Sequence, residues 1–201
     1  MFTEETKKTI NVKVVVVGGL ATGKTCIINR FVYNKFIENS EIRKGEIYYS
    51  KCINTNNNKT FKFGIWDTHG SERFRSILRI FMINSVMAIF VYSPFCRDSF
   101  TELNDYVQRV RSVSPDKCLY IIAENFKDVT VRERRVSTEE GEAYAQSIGA
   151  KFFSVSAKTG EGINEMFKEY TFFYQGLNHN SFSTIILKRG NNNKDRSECV
   201  K

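Results

Sequence analysis

The sequence predicts an α/β fold, with helices on both faces of a six-stranded, mostly parallel sheet. Six short runs of apolar and β-branched residues have the length of strands, and segments with helical spacing separate most of them. The first run, Val12 to Val17, is a nearly continuous series of valines, which is typical of a parallel strand buried on both faces. This alternation indicates parallel strands joined by helical crossovers.

The first half of the chain also predicts one antiparallel pair. A helix is expected up to about Asn34, because Ile27, Ile28, Phe31 and Val32 recur at helical spacing. Two β-rich runs then follow at residues 46–53 and 60–66, and three consecutive asparagines between them predict a hairpin. We therefore expect one edge strand of the sheet to run antiparallel to its neighbour.

The second half continues the alternation of helix and strand. Strands are expected at residues 86–92, 119–123 and 152–155. Ser137 and Glu140 have the spacing of a capping box, which predicts a helix from there to about Gly149. The other helices are expected near 72–83, along the face Phe100, Leu103, Val107 and Val110, and along the face Ile163, Met166, Phe167 and Tyr170.

A phosphate-binding loop follows the first strand. From Gly18 the chain reads Gly18-x-x-x-x-Gly23-Lys24-Thr25, a pattern in which backbone N–H groups and a helix N-terminus converge on an anion. Lys24 adds a positive charge for the β- and γ-phosphates, and the Thr25 hydroxyl is suited to Mg²⁺. The alternative is an ordinary strand-to-helix turn with a stray lysine. The nucleotide contacts expected here are Gly18, Leu20, Ala21, Thr22, Gly23, Lys24, Thr25 and Cys26.

Length and composition favour one domain with short extensions. The chain has 201 residues, of which 41% are hydrophobic, so it can bury a single sizeable core. We expect an N-terminal extension at residues 1–11, a nucleotide-binding domain at 12–177, and a polar, disordered tail at 178–201. The net charge of +8 is spread along the chain without a basic block, which argues against a nucleic-acid partner.

The cysteines and the apolar segments predict a cytoplasmic protein. Five cysteines, an odd number without Cys-x-x-Cys spacing, indicate neither a zinc site nor a disulfide framework. The N-terminus lacks the apolar centre of a secretory signal, and the longest apolar stretch, Phe81 to Phe95, is too short to span a bilayer.

Three further loops are expected beside the phosphate loop, because ligands of such sheets bind beyond the carboxyl ends of the strands. The four loops comprise residues 18–25, 67–70, 125–128 and 156–158. Together they carry the motifs Gly18-x4-Gly23-Lys24-Thr25, Trp66-Asp67-Thr68-His69-Gly70, Asn125-x-x-Asp128 and Ser156-Ala157-Lys158.

In this order and spacing the set resembles the small GTPases of the Ras superfamily, over about Val12 to Tyr174. The runs Ser71-Glu72-Arg73-Phe74 and Ser156 to Glu161 are most similar to Rab proteins. The resemblance implies the P-loop small GTPase fold, GTP or GDP as ligand, and Mg²⁺ held by Thr25 and, through water, Asp67. Gly70 then belongs to the nucleotide site as well.

The base site can be argued from its chemistry. Asp128 would accept hydrogen bonds from the two N–H groups on guanine's Watson–Crick edge, an arrangement that adenine lacks. Asn125 would brace the loop and contact the base, the Ala157 N–H would donate to guanine O6, and the Lys158 stem would cover one base face. The alternative is a polar turn. Lys127 and Ser156 complete the expected contacts, and Phe126, in place of the family's lysine, could stack on the base.

Several positions depart from the family pattern at the hydrolytic side of the site. Ser71 stands where a glutamine orients the attacking water, and Leu20 replaces a small residue near the γ-phosphate. Arg43 falls where a threonine closes over Mg²⁺ and the γ-phosphate. One hypothesis is that Arg43 supplies a cation to that phosphate from within the chain, and its alternative is a solvated loop arginine. His69 replaces an alanine, either as a steric change or with a catalytic role.

The sequence thus favours a Rab-like GTP-binding switch in vesicle traffic or signalling, with slow hydrolysis. Its effector and regulator proteins would contact segments 35–50 and 67–83. The alternative is a pseudo-GTPase that acts through protein contacts alone. A P-loop kinase or ATPase would need a lid and acceptor site for which no segment is evident.

The C-terminus leaves two alternatives for membrane contact. It ends Glu198-Cys199-Val200-Lys201, which is one residue short of a C-a-a-X box. Cys199 could still be lipidated, with basic tail residues attracted to anionic lipid on the cytosolic face of an endomembrane, or the tail could simply be soluble. The basic residues are Lys188, Arg189, Lys194 and Arg196.

Overall fold

The described part of the chain contains six strands and six helices, and it comprises residues 8–36, 46–56, 58–68, 75–130 and 133–191 of a computed structural model. The strands are β1 (Lys8–Val17), β2 (Tyr48–Asn54), β3 (Lys59–Asp67), β4 (Met87–Tyr92), β5 (Leu119–Glu124) and β6 (Lys151–Ser154). The helices are α1 (Lys24–Tyr33), α2 (Arg75–Met82), α3 (Arg97–Thr101), α4 (Leu103–Arg111), α5 (Thr138–Ser147) and α6 (Ile163–Asn191).

The strands form one sheet in the order β2-β3-β1-β4-β5-β6. Strand β1 is parallel to β3 and β4, and β5 is parallel to β4 and β6. The edge strand β2 runs antiparallel to β3, as the hairpin signal predicts. These pairings confirm the predicted fold class. The carboxyl ends of β1, β3, β5 and β6 consequently lie at one edge of the sheet, and the four predicted loops all leave from that edge.

Apolar side chains cover both faces of the sheet. On one face Phe31 of α1 stacks on Phe167 of α6 at a centroid distance of 3.7 Å, and both rings contact Phe63 of β3 edge-on. On the other face, buried residues of α2, α4 and α5 pack with those of β1, β4 and β5. All six residues of β4 are buried, as expected for a central parallel strand.

The chain divides into two units at a point within α6. One ends at Phe167 and holds the sheet and the helices before it, and the second begins at Lys168. Among the described helices, none has the length and apolar composition needed to cross a membrane.

Three element boundaries differ from expectation. Strand β1 begins at Lys8 rather than near Val12, because residues 8–11 continue the ladder with Lys59 to Lys62 of β3. Residues 8–11 therefore take part in the sheet. The helix expected along Phe100 to Val110 is divided into α3 and α4 at Glu102, whose backbone stays right-handed helical at φ −64°.

The third difference is at the C-terminus. Helix α6 continues to Asn191, where a disordered tail was expected from residue 178. This stretch of sequence has no proline, and Ile185, Ile186 and Leu187 interrupt its polar composition, so nothing in it forces the helix to stop. The rest of the predicted tail lies outside the described residues, and the domain limits at 12 and 177 stay a prediction.

The predicted capping box of α5 is half formed. The Ser137 hydroxyl accepts a hydrogen bond from the Glu140 N–H at 3.1 Å, as predicted. The Glu140 carboxylate instead forms an ion pair with Arg97 at 2.6 Å. Helix α5 therefore keeps the serine cap, while its glutamate links it to α3.

Close packing of α5 on the sheet makes Gly141 a sensitive position. A Cβ there would lie 2.2 Å from the Tyr92 hydroxyl oxygen and 2.8 Å from a Phe152 ring carbon. We predict that Gly141→Ala lowers the free energy of unfolding by about 1–3 kcal/mol, because the helix must shift away. In the matched control Gly176→Ala, also within a helix, the new Cβ meets nothing within 4 Å. That variant should be unchanged or up to about 1 kcal/mol more stable. Urea unfolding measures both, and equal stabilities would contradict the prediction.

Candidate functional site

The phosphate loop connects β1 to α1 through two tightly packed glycines. Gly18 has φ +152°, and a Cβ there would lie 2.1 Å from the Val91 carbonyl oxygen of β4. Gly23 caps α1 with φ +86°, and a Cβ there would lie 2.2 Å from Asn125 Nδ2. No other residue fits either place without moving its neighbours. The glycines of the predicted motif are thus required by close backbone approach.

Lys24 is the first residue of α1, and its side chain is buried against the phosphate loop. Its ammonium donates a hydrogen bond to the Gly19 carbonyl oxygen at 2.6 Å. Burial lowers the pKa of Lys24 to about 8, although the negative charges of Asp67 and Glu102 oppose the shift. A desolvated ammonium next to helix N-terminal amides is well placed for phosphate oxygens.

The other predicted residues of the phosphate loop differ in the exposure of their side chains. Leu20 is 76% exposed, and Ala21 beside it has φ +57°. Thr22 is buried, and its hydroxyl donates to the Gly19 carbonyl oxygen at 3.0 Å, so the side chain is used within the loop. Cys26 is half-buried, which raises the pKa of its thiol. For Thr22, a nucleotide contact could come only from the backbone.

The predicted magnesium ligands lie in direct contact. The Thr25 hydroxyl donates to Asp67 Oδ2 at 2.5 Å, and Asp67, at the end of β3, is 1% exposed. A hydroxyl and a buried carboxylate are the hard oxygen ligands that Mg²⁺ prefers when phosphates and water complete its shell. The two side chains therefore fit the ion that the sequence predicts.

Asn125 joins the phosphate loop to the two loops that are expected to bind the base. These are residues 125–128 and 156–158, which we call the base loops. Asn125 Nδ2 donates to the Thr22 carbonyl oxygen at 3.0 Å, and its Oδ1 accepts from the Ala157 N–H at 3.1 Å. The side chain is 1% exposed. The bracing role predicted for Asn125 is thus present. The predicted donation from the Ala157 N–H to guanine O6 requires that this group be shared with, or released from, Asn125.

Asp128 and Ser156 form the second link between the base loops. The Ser156 hydroxyl donates to Asp128 Oδ1 at 2.6 Å and accepts from the Thr159 N–H at 3.0 Å. One carboxylate oxygen of Asp128 is thereby held in place. Lys127 instead forms an exposed ion pair with Glu161 at 2.5 Å, so its side chain is not directed to a base. Its expected contact with the nucleotide stays a prediction.

Comparison with known proteins agrees with this geometry. Residues 13–172 match the sequence model of the Ras family. The chain belongs to the Ras family. It is 37% identical over 159 residues to the Ras-related protein Rab-2B of Dictyostelium discoideum, covering 79% of this chain and 78% of that protein. It is 35% identical to Rab5A of Oryza sativa, over 79% and 77%, and 34% identical to human Rab-4B, over 77% and 72%.

Two aromatic side chains, Phe126 and Phe95, lie near the phosphate loop of this Rab-like GTPase. Phe126, where the family pattern has lysine, has φ +70° and places its ring 3.8 Å from the Cβ position of Gly23. Phe95 meets the same ring edge-on at a centroid distance of 6.5 Å. An aromatic surface therefore lies beside the phosphate loop, consistent with stacking on a base.

Arg30 was not found from the sequence. It lies on α1, and its Nε donates to the Ala157 carbonyl oxygen at 3.0 Å while Nη2 donates to the Lys158 carbonyl oxygen at 2.5 Å. A lone arginine on a helix gives no signal that its partners are about 130 residues away, and only the three-dimensional fold brings them together. Lys158 itself has an exposed side chain.

Apart from Leu20, the hydrolytic side was predicted from four residues of the switch segments. Arg43, His69, Gly70 and Ser71 lie outside the described residues. Their roles therefore stay predictions from the sequence.

We predict that Arg30→Ala accelerates GDP release from this Rab-like GTPase by about tenfold, because two hydrogen bonds from a cation to the 156–158 loop are lost. The matched control is Arg111→Ala, which removes a comparable bond from Arg111 Nη2 to the Ile148 carbonyl oxygen at 2.5 Å, away from the site. Stopped-flow release of a fluorescent GDP analogue measures both rates. Equal rates in the two variants would show that Arg30 does not support the base loops.

The lowered pKa of Lys24 predicts a pH-dependent affinity. Phosphate binding favours the charged ammonium, and the nucleotide-free protein loses that charge as the pH rises through about 8. The dissociation constant for GDP should therefore be constant between about pH 6.5 and 7.5 and rise several-fold by about pH 9. Lys24→Arg stays charged throughout this range, so its weaker binding should lack the rise. A parallel rise in both proteins would assign the effect to another group.

Proposed function

We propose that this Rab-like GTPase is a guanine-nucleotide switch of vesicle traffic or signalling whose intrinsic GTP hydrolysis is slow. The observation that carries the nucleotide assignment is the convergence of three devices at one edge of the sheet. These are the buried Lys24, the Thr25–Asp67 pair, and Asn125, which ties the phosphate loop to the base loops.

Each device has one task in nucleotide binding. Backbone N–H groups of residues 18–25 and the Lys24 ammonium would bind the phosphates, and Thr25 and Asp67 would hold Mg²⁺. The ion, when bound, neutralises phosphate charge. Asp128, whose carboxylate is fixed by Ser156, would read the two N–H groups of guanine. A site that leaves such polar groups unpaired with adenine discriminates strongly against it.

Slow hydrolysis rests on Ser71. A serine is too short to orient an attacking water as glutamine does from the same backbone position, and loss of one such group costs about 3 kcal/mol in the transition state. This corresponds to roughly a hundredfold in rate. The pseudo-GTPase alternative is favoured by Ser71, by Leu20, and by Arg43, which removes the threonine of the first switch.

An aromatic surface, to which both switch segments contribute, supports the proposal that this protein binds partner proteins. Tyr48 of β2 is 45% exposed, its ring lies 5.1 Å from that of Trp66, and Trp66 stacks on Phe81 at 5.0 Å. Lys13 lies over the Trp66 ring. Trp66 and Phe81 are half-buried, and partly exposed aromatic clusters of this kind are typical of protein-binding surfaces. We infer that effectors contact it on the cytosolic face of an endomembrane, to which the basic tail and Cys199 would add attraction.

The nucleotide that the purified protein carries separates the alternatives. After denaturation and chromatography, bound GTP supports the slow switch, bound GDP indicates a working GTPase, and an empty site supports the pseudo-GTPase. Saturable GDP binding that ADP fails to displace would support guanine selectivity.

We predict that Ser71→Gln raises the single-turnover rate of GTP hydrolysis by up to about a hundredfold. Arg43→Ala is measured in the same assay, where a lower rate would support a cation supplied by Arg43 and an unchanged rate would remove that hypothesis. A wild type as fast as Ser71→Gln would contradict slow hydrolysis.

A further inference from the structure

A row of three polar side chains crosses the sheet one residue before the base loops begin. Tyr92, Glu124 and Ser154 are the last paired residues of β4, β5 and β6, with Tyr92 opposite Glu124 and Glu124 opposite Ser154. Asn125 follows the middle member directly. The core below the row is apolar, so a completely buried carboxylate at its centre requires an explanation.

All acceptor positions of Glu124 are occupied. Its Oε2 accepts from the Tyr92 hydroxyl at 2.9 Å and from Arg134 Nη2 at 2.5 Å. Its Oε1 accepts from the Ser154 hydroxyl at 2.9 Å and from the Thr138 hydroxyl at 3.4 Å. Four donors match the capacity of one carboxylate. Glu124 therefore connects β4, β6, the first residue of α5 and the segment before α5.

The charge state of the row is consistent with this arrangement. Burial and the Glu124 charge raise the pKa of Tyr92 far above its ordinary value, so the hydroxyl stays a donor. Arg134, whose side chain is 35% exposed, supplies the positive charge. A buried ion pair of this kind adds little net stability compared with apolar packing, and fixing a unique geometry is the better-attested use of such pairs.

We propose that Glu124 is a positioning residue for guanine recognition, which sets the spacing between the two loops that read the base. The inference rests on the proposed function of the site. Glu124 leads into Asn125 and the loop to Asp128, whereas Ser154 leads into Val155, Ser156 and Ala157. The bond from the Ser154 hydroxyl to Glu124 and that from the Val155 N–H to the Glu124 carbonyl oxygen hold the two strand ends together.

Disturbing this row of side chains should weaken mainly the contacts between the protein and the base. Asp128 depends on Ser156 for its orientation, and a shift of β6 against β5 changes that contact. The phosphate loop leaves β1, which pairs with β3 and β4 and not with β5 or β6. Phosphate contacts should accordingly be less affected than the contacts that distinguish guanine from other purines.

The test compares GDP with IDP, whose base lacks the exocyclic amino group that Asp128 would accept from. Loss of a hydrogen bond to a carboxylate predicts a wild-type preference for GDP of about ten- to a hundredfold. Ser154→Ala and Glu124→Gln should each reduce this ratio by about three- to tenfold. Dissociation constants are measured by titration, and thermal unfolding confirms that each variant is folded.

Two controls separate positioning from general loosening. Ser154→Thr keeps the hydroxyl and should retain the wild-type ratio. Glu140→Gln removes a carboxylate from the surface ion pair of Arg97 with Glu140, on the same helix α5, and should leave the ratio unchanged. If Glu124→Gln fails to fold, Ser154→Ala and Thr138→Ala decide the question.

The outcomes distinguish this inference from the proposed function. A wild type that binds GDP selectively, with folded row variants of unchanged ratio, overturns the positioning role alone. An equal fall in Glu140→Gln also overturns it. A wild type without saturable GDP binding removes the proposed function and this inference together.

Discussion

The side-chain amide of Asn125 is the contact on which the site depends. An amide has donor hydrogens at one end and an acceptor at the other, and here each end serves a different loop: the Thr22 carbonyl oxygen and the Ala157 N–H. Aspartate would lack the donor and leucine both groups. Because the bonds are buried, an unsatisfied partner would cost about 1–3 kcal/mol. Phosphate and base loops thus hold a common geometry through one residue at the end of β5.

Buried charge is concentrated at this edge of the sheet. Lys24, Asp67 and Glu124 are each at most 4% exposed, whereas the strands below them are apolar. Burying a charge is unfavourable unless it is paired, and each of these has a polar partner: the Gly19 carbonyl oxygen, the Thr25 hydroxyl, and Arg134 with three hydroxyls. In the proposed function, Lys24 and Asp67 exchange these partners for a phosphate and a cation. Glu124 has no vacant acceptor position, which is why its role is to position its neighbours.

The sequence predicted the parts of this molecule that follow from local pattern. Apolar periodicity indicates the six strands, and the rule that ligands bind beyond the carboxyl ends of parallel strands predicts that the four loops lie together. The sequence did not predict the contacts of polar residues whose partners are distant along the chain. Arg30 donates hydrogen bonds to Ala157 and Lys158, and Glu124 accepts them from Arg134 and Ser154. The start of β1 at Lys8 was not predicted for a similar reason, because residues 8–11 form a strand by pairing with the distant strand β3.

In the proposed function, nucleotide binding and GTP hydrolysis depend on different residues. The residues that would hold the nucleotide lie at strand ends or at the start of α1, and the sheet fixes their positions. Ser71, which replaces the glutamine of the family pattern, falls in the sequence between β3 and α2. A side chain that acts only on the attacking water stabilises the transition state without contributing to ground-state affinity. Its replacement can therefore slow turnover about a hundredfold while the nucleotide stays bound, which prolongs the GTP state in which a switch engages its partners.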